Sequence, residues 1–567
     1  MATARLAFWL VVAAVLANGC STAHYRRSAD KEVYSIVASA ERSALGKSRE
    51  FRIDTRYSNR KPSQIPASEI IDDRLQSSVR VLSLENALNL AIQNSREYQT
   101  EKERLYLSAL TLTGERYNFR PQFSGSSTAT YNRLSDGERQ RSINSRLDAS
   151  QALKTGGRLG VAIANDLLRY YTGDPRRSAV STVSVNLLQP LLRGIGGRNP
   201  AVENLTQAER NVIYAVRDYS FFQNEFAKNI VNDYFSLLAQ KQVVRNRHAN
   251  FQSRVQSTRR LEARAVDRER AVDVDQARQA ELTAKNNYIN VAATYQNSLN
   301  QFKISLGLPL GDHLQLDDEL LTELESANLV LVEIDAMLAV RVAIKRQLKI
   351  LNAIDRYEDS KRKVKVAADR LRADLNLFAD ASLNSEGATD YTKFDPNKIS
   401  AGVGLELNLP FDRLRERNTY RATLVSFESQ LRSFSLTLDN LKDSIERGLR
   451  TLEQRRQTYE IQRNALQLAN RRVASATLLL EAGRAEIRDL IEAQDAQISA
   501  QNAVTAALVG YQEQRLQLML DLGVLETESE KFWLKDYVGA ELRAEPKDGV
   551  PQPPSHDLIL PDKLFED

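Results

Sequence analysis

Cysteine is all but absent. Cys20 stands alone in 567 residues, so no internal disulfide can organise the chain. Histidine is nearly as scarce: His24, His248, His313 and His556 are scattered, and none has a second ligand near it. That argues against a zinc centre or a histidine-based catalytic site. Beyond the first twenty residues there is no apolar run long enough for a membrane-spanning helix, although strands of a membrane barrel would leave only a weak hydropathy trace. A dominant charge is missing too, since the formal net charge of +5 is small for this length and gives no reason to expect nucleic acid as a partner. Without a nucleophile, metal or phosphate-binding constellation, no enzyme activity, metal or cofactor is expected. Proline is the most informative absence. None occurs between Pro200 and Pro309, between Pro309 and Pro396, or between Pro410 and Pro546.

The first twenty residues read as an export signal. A basic start (Arg5) and an apolar stretch from Leu6 to Leu16 precede Ala17-Asn18-Gly19-Cys20. Small residues before a cysteine resemble a lipoprotein cleavage site, with Asn18 and the position of Leu16 departing from the usual pattern. Cys20 is therefore the expected acylation site, and Ser21 behind it fits retention at the outer membrane. The expected location is the cell envelope, with a lipid anchor at Cys20.

The proline-free windows are rich in Ala, Leu, Gln, Glu and Arg, and they invite long helices. Leu424, Phe427, Leu431, Phe434, Leu438, Leu441, Ile445, Leu449 and Leu452 recur at spacings of three and four, the seam of a coiled coil. Val212, Val216, Tyr219, Phe222, Phe226, Ile230, Tyr234 and Leu237 do the same. Helices over Asn199–Leu261 and Asp412–Leu480 would each be roughly 90–105 Å long. Helices of that length cannot bury their own seams.

Between them lie segments of period two. Val403, Leu405, Leu407 and Leu409 alternate with Gly404, Glu406 and Asn408; Val183, Val185 and Leu187 alternate with Ser184 and Asn186; Leu159, Val161 and Ile163 alternate with Gly160 and Ala162. One apolar face and one small or polar face is the pattern of a membrane β-barrel. The chain also repeats itself. Leu261–Arg264 parallels Leu480–Gly483, and Leu306-Gly307-Leu308 parallels Leu522-Gly523-Val524. The expected organisation is a signal over 1–20, a polar tether over 21–81, a first repeat over 82–310 with strands in 121–190, a second over 331–525 with strands in 375–409, and a tail over 526–567. The first strand region has room for about four strands and the second for two. The surplus hairpin around Ser150–Leu168 reads either as an extracellular extension or as extra barrel wall.

This layout resembles the TolC-type outer-membrane efflux proteins. The most specific stretch is Glu481-Ala482-Gly483-Arg484-Ala485-Glu486-Ile487-Arg488-Asp489-Leu490-Ile491-Glu492-Ala493-Gln494, similar to the family's periplasmic tip, and Leu409-Pro410-Phe411-Asp412 resembles its passage from strand to helix. The resemblance implies a mainly α fold with a β-barrel, internally duplicated, whose long coiled-coil helices form a trimeric α-barrel under a shared transmembrane β-barrel. It also implies a homotrimer in the Gram-negative outer membrane, anchored by lipid at Cys20, spanning by its barrel and projecting into the periplasm, and working with a periplasmic adaptor and an inner-membrane transporter. Asp489 and Glu492 match the acidic ring at the periplasmic entrance. Gly483, Arg484 and the first-repeat position Arg264 match the adaptor-docking tip, where Arg264 and the charged turn after it depart from the family pattern.

The expected function is the exit duct of a tripartite efflux pump. The outer-membrane part of a type I protein secretion system is the alternative within the same design. A periplasmic coiled-coil adaptor or scaffold is a rival of another class, but such proteins carry one hairpin rather than two strand-plus-helix repeats. The lack of Met and His clusters weighs against export of soft metals.

Overall fold

The computed structural model describes residues 21–135, 137–170, 177–264, 271–326, 329–332, 334–386, 392–482, 484–535, 537 and 539. Along the chain come α1 (Thr22–Leu45), α2 (Ala67–Leu75), β1 (Val79–Leu82), α3 (Leu84–Asn94), α4 (Arg96–Tyr117) and strands β2 (Gln122–Arg133), β3 (Arg139–Ala152), β4 (Arg158–Tyr170) and β5 (Arg177–Pro190). Then follow α5 (Pro200–Arg264), α6 (Ala271–Ser305), β6 (His313–Leu316), α7 (Glu319–Ser326), α8 (Ala336–Arg346) and α9 (Leu348–Asp369). The chain continues through β7 (Asp374–Asn384), β8 (Ser400–Asn408), α10 (Leu414–Glu481) and α11 (Ile487–Leu522).

Helices α5 and α10 run 65 and 68 residues, within a few residues of the expected bounds. Their starts have local causes. Pro200 sits where a missing N–H costs nothing, and the Asn199 carboxamide oxygen accepts the Ala201 N–H at 2.8 Å. At α10 the Asp412 carboxylate accepts the Leu414 N–H at 3.0 Å. The α5 seam is buried as its spacing predicts, from Val212 and Val216 through Phe226, Ile230 and Tyr234 to Leu237. The α10 seam divides. Leu441, Ile445 and Leu452 are buried against the neighbouring helices, while Leu431 higher up remains exposed and Phe427 and Phe434 stack on Tyr357 of α9.

Strands β2–β5, β7 and β8 form one antiparallel sheet in the order β2-β3-β4-β5-β7-β8. Among the described residues it is open at β2 and β8 and does not close into a barrel within one chain. Register keeps the faces separate. Leu405 opposes Leu377, Leu187 opposes Ala379, Val185 opposes Val161, and Ile163 opposes Leu147. The other face carries Glu406 opposite Asn376, Asn186 opposite Asp380 and Gly160, and Asp148 opposite Ala162. Gly160 and Gly404 make room there: an added Cβ would fall 2.2 Å from the Asn186 carboxamide and 2.5 Å from the Phe378 ring.

Two expectations need correction. The segment 21–81 is not a simple polar tether. In α1, Val33, Ile36 and Val37 pack with Phe51 against Leu105, Tyr106, Val212 and Val216 of α4 and α5, and β1 pairs in parallel with β6. Its mean polarity conceals an apolar stripe at spacing three and one, enough to hold one helical face. The tail also does not begin at 526. Phe532 and Trp533 are buried in the main core, and the Arg515 guanidinium donates to the Trp533 carbonyl. Residues 540–567 lie outside the described residues.

The ends of the two returning helices are matched. Gly307 after α6 (φ +72) and Gly523 after α11 (φ +73) each take the left-handed conformation that favours glycine. Each lies against a break between two short helices: a Cβ on Gly307 would meet the Asn94 carbonyl at 2.2 Å, and one on Gly523 the Arg346–Gln347 peptide at 2.7 Å. The α3–α4 break is thus seated on α6 as the α8–α9 break is seated on α11.

Candidate functional site

Three features stand out: the sheet, the end of the long helices far from it, and a polar seam between them. Among the described residues there is no group of three or more side chains able to hold a metal, and no helix long and apolar enough to cross a membrane.

At the far end, all four long helices meet. Leu261 of α5, Ala277 of α6, Ala476 of α10 and Ile487, Leu490 and Ala493 of α11 form one small apolar cluster. Around it lies a polar bridge. Arg254, only 4 % exposed, donates from α5 to the Asp495 carboxylate at 2.8 Å and to the Ile491 carbonyl at 3.0 Å on α11. A guanidinium so deep needs both acceptors, because an unpaired buried charge is costly. Beside it runs an open polar groove of about 350 Å³, lined by Arg247, Asn250, Gln276, Thr283, Asn287 and Arg488. The α10–α11 turn is locally determined: Glu486 and Asp489 form a reciprocal capping box at the start of α11, the Asp489 carboxylate accepting the Glu486 N–H at 3.2 Å.

Nearer the sheet, α5 and α9 are joined by a ladder of polar side chains. The Asp359 carboxylate accepts from the Tyr214 hydroxyl at 2.6 Å, Arg362 at 2.9 Å and Gln207 at 3.1 Å, and also pairs with Arg210. Arg362 reaches Glu203 at 2.7 Å, Arg217 reaches Asp355 at 2.6 Å, and the Asn352 amide donates to the Tyr214 carbonyl at 3.2 Å. Burial alone would raise the Asp359 carboxyl, but the donors from Tyr214, Gln207 and Arg362 and the charge of Arg210 together hold it below the ordinary aspartate range. On another side of α5, facing α11, burial pushes the carboxyls of Glu513 and Asp521 up and the Lys228 ammonium down.

No protein-family model and no curated protein matches this sequence. Solved structures do match its architecture. The CmeC outer membrane channel of Campylobacter jejuni shares 14 % identity, over 81 % of this chain and 88 % of that one, with a TM-score of 0.58. The outer membrane protein VceC of Vibrio cholerae shares 16 %, over 78 % and 96 %, at 0.57. The open-state MtrE outer membrane channel of Neisseria gonorrhoeae shares 13 %, over 78 % and 88 %, at 0.58. The fold is that of the TolC-type outer-membrane channels.

Within this channel fold the residues singled out by sequence fall at or near the helical end. Asp489 is the capping carboxylate of α11, and Glu492, one turn on, is exposed and paired with Arg472 of α10 at 2.8 Å. Arg484 is exposed in the turn, its N–H bonded to the Leu479 carbonyl at 2.8 Å. Gly483, Cys20 and the side chain of Arg264 lie outside the described residues; Arg264 is the last residue of α5. Periodicity did not reveal the Arg254–Asp495 bridge or the Asp359 ladder. The ladder does leave a signal, since Gln207, Arg210, Tyr214 and Arg217 recur at helical spacing on one helix and Asn352, Asp355, Asp359 and Arg362 on the other.

Proposed function

We propose that this protein is an outer-membrane exit duct of a tripartite efflux pump, through which exported small molecules pass passively from periplasm to exterior. One observation carries the reading: an open sheet with one largely apolar face stands at one end of four long helices in the same chain. An open sheet in a bilayer leaves unpaired backbone groups that nothing there can satisfy. Three copies related by rotation close both the sheet and the helical wall, with β8 of each meeting β2 of the next. Leu431 of the upper α10 seam, together with Val425 and Leu436 elsewhere on the same helix, is exposed and supplies apolar surface for that contact. The matched seating of Gly307 and Gly523 supports an internal duplication behind the layout.

In this reading Asp489 and Glu492 from three copies ring the inner entrance, where concentrated carboxylates favour cations. The turn at Gly483 and Arg484, with Arg264 on the other hairpin, docks a helical hairpin of a periplasmic adaptor beneath an inner-membrane transporter. Acylated Cys20 tethers each copy to the membrane in which its sheet stands. In-cell cross-linking from position 483 tests the assignment. Capture of a periplasmic adaptor is expected, and capture of a component dedicated to one exported polypeptide would assign the duct to protein secretion instead.

A further inference from the structure

We infer that the outlet of this duct is a barrel of eighteen strands, six from each copy, and so wider than one built from four strands per copy. The inference rests on the three-copy reading above. The issue is whether β3 and β4 are wall or a projection beyond the membrane.

Four observations make them wall. Both strands pair with their neighbours along their lengths, between β2 and β5, inside the sheet rather than at its edge. Their apolar residues continue the outer band: Leu147 aligns with Ile163, Ile163 with Val183, and Val161 with Val185. Their other face, with Asp148 and Ser150 opposite Ala162 and Gly160, continues the polar face of β7 and β8. The β3–β4 turn is seated at the helical side. The Thr155 carbonyl accepts the Gly196 N–H at 2.9 Å, the Thr155 hydroxyl donates to Gln189 at 2.8 Å, and Asn199 donates to Gly194 at 3.1 Å beside Gly156. Gly156 has φ +94, and a Cβ there would fall 2.2 Å from the Gly194 carbonyl, so turn and strand-to-helix junction are closely packed. A hairpin projecting outward could not have its inner turn in that place. At 14 and 13 residues, β3 and β4 are also long enough to span.

Strand number fixes barrel width. With neighbours about 4.8 Å apart and a tilt of about 40°, eighteen strands give a backbone diameter of roughly 36 Å, and about 24 Å of open lumen after inward side chains are subtracted. Without β3 and β4 the same three copies would give twelve strands, roughly 24 Å of backbone diameter and about 12 Å of lumen.

The test uses the full-length protein in planar bilayers, with uncharged polyethylene glycols added on the outer side, and a variant lacking residues 139–170, in which residues 134–138 run directly into 171–176 to join β2 to β5. Polymers of about 8–10 Å hydrodynamic radius should enter the full-length outlet and lower its conductance, and should leave the excised variant unaffected. Conducting trimers whose full-length outlet excludes those polymers would overturn the wide barrel while leaving the three-copy duct standing. Absence of conducting trimers would overturn both. Because the excised variant can misfold, a second measurement uses single cysteines in the full chain, with unsubstituted protein as the Cys20 background. Asp148→Cys should react with a charged water-soluble maleimide, and Leu147→Cys only with a lipid-soluble one. Equal labelling of both by the water-soluble reagent would place the hairpin in water and refute the wall.

Discussion

Removing the Asp359 carboxylate tests whether the polar ladder holds the two halves of the helical part together. Its side chain is 4 % exposed and receives Tyr214, Gln207, Arg362 and Arg210. Asp359→Ala leaves two guanidinium groups and a phenol facing a space that water fills poorly, and breaking a buried pair costs about 3–5 kcal/mol. The lower end applies here. Arg362 keeps Glu203 at 2.7 Å and Arg210 keeps Asp355 at 3.1 Å, so neither cation is left alone. A loss of about 3 kcal/mol in local stability accelerates exchange of the backbone amides by roughly a hundredfold. Hydrogen–deuterium exchange should show that acceleration in peptides covering 203–218 and 352–369, and none in 476–493 at the tip. Tyr214→Phe removes one hydrogen bond to a charged acceptor and should give about a tenfold effect in the same peptides. Unchanged protection around Asp359, or an equal loss at the tip, would refute a local role for the ladder.

Other outcomes follow from the same structure. The lowered Asp359 pKa means that its stabilisation is present above the ordinary aspartate range and is lost as pH falls through its folded value; the raised Glu513 and Asp521 give the opposite sign. Mild acidification should therefore tighten α5 against α11, and only stronger acid should loosen α5 from α9, both readable by exchange at several pH values. Gly523→Ala should lower the thermal midpoint more than Gly46→Ala: both glycines have positive φ, but only Gly523 faces backbone 2.7 Å from the added Cβ. Ile445→Ala, fully buried in the lower α10 seam, should cost about 2–5 kcal/mol, measured as loss of helical circular dichroism in denaturant. Asp489→Ala combined with Glu492→Ala should weaken cation selectivity in reversal-potential measurements under a salt gradient, and unchanged selectivity would put those carboxylates off the pore.

The long helices are legible in the sequence because their causes are local. Proline is confined to their ends, capping residues stand at Asn199 and Asp412, and the apolar spacing of Val212–Leu237 needs no knowledge of the partner. The strands are legible for a similar reason, since alternation at Val403–Leu409 and Leu159–Ile163 survives averaging. What is hidden depends on contacts between distant segments. The α1 stripe at Val33, Ile36 and Val37 is too short to stand out from a charged stretch, and Phe532 and Trp533 owe their burial to a core assembled by other helices. The Asp359 ladder is polar on both sides, and only packing of α5 on α9 distinguishes it from two wetted faces. At the tip, sequence marked Asp489 and Glu492 by resemblance. The fold gives each a partner within its own hairpin, so any place around a pore depends on neighbouring copies.

Single-channel recording of the purified protein in a planar bilayer bears most directly on the proposal that three copies close a duct through the outer membrane. Discrete, cation-selective conductance steps from particles that contain three chains are predicted. Folded, single-chain particles that leave the bilayer without conductance would contradict it.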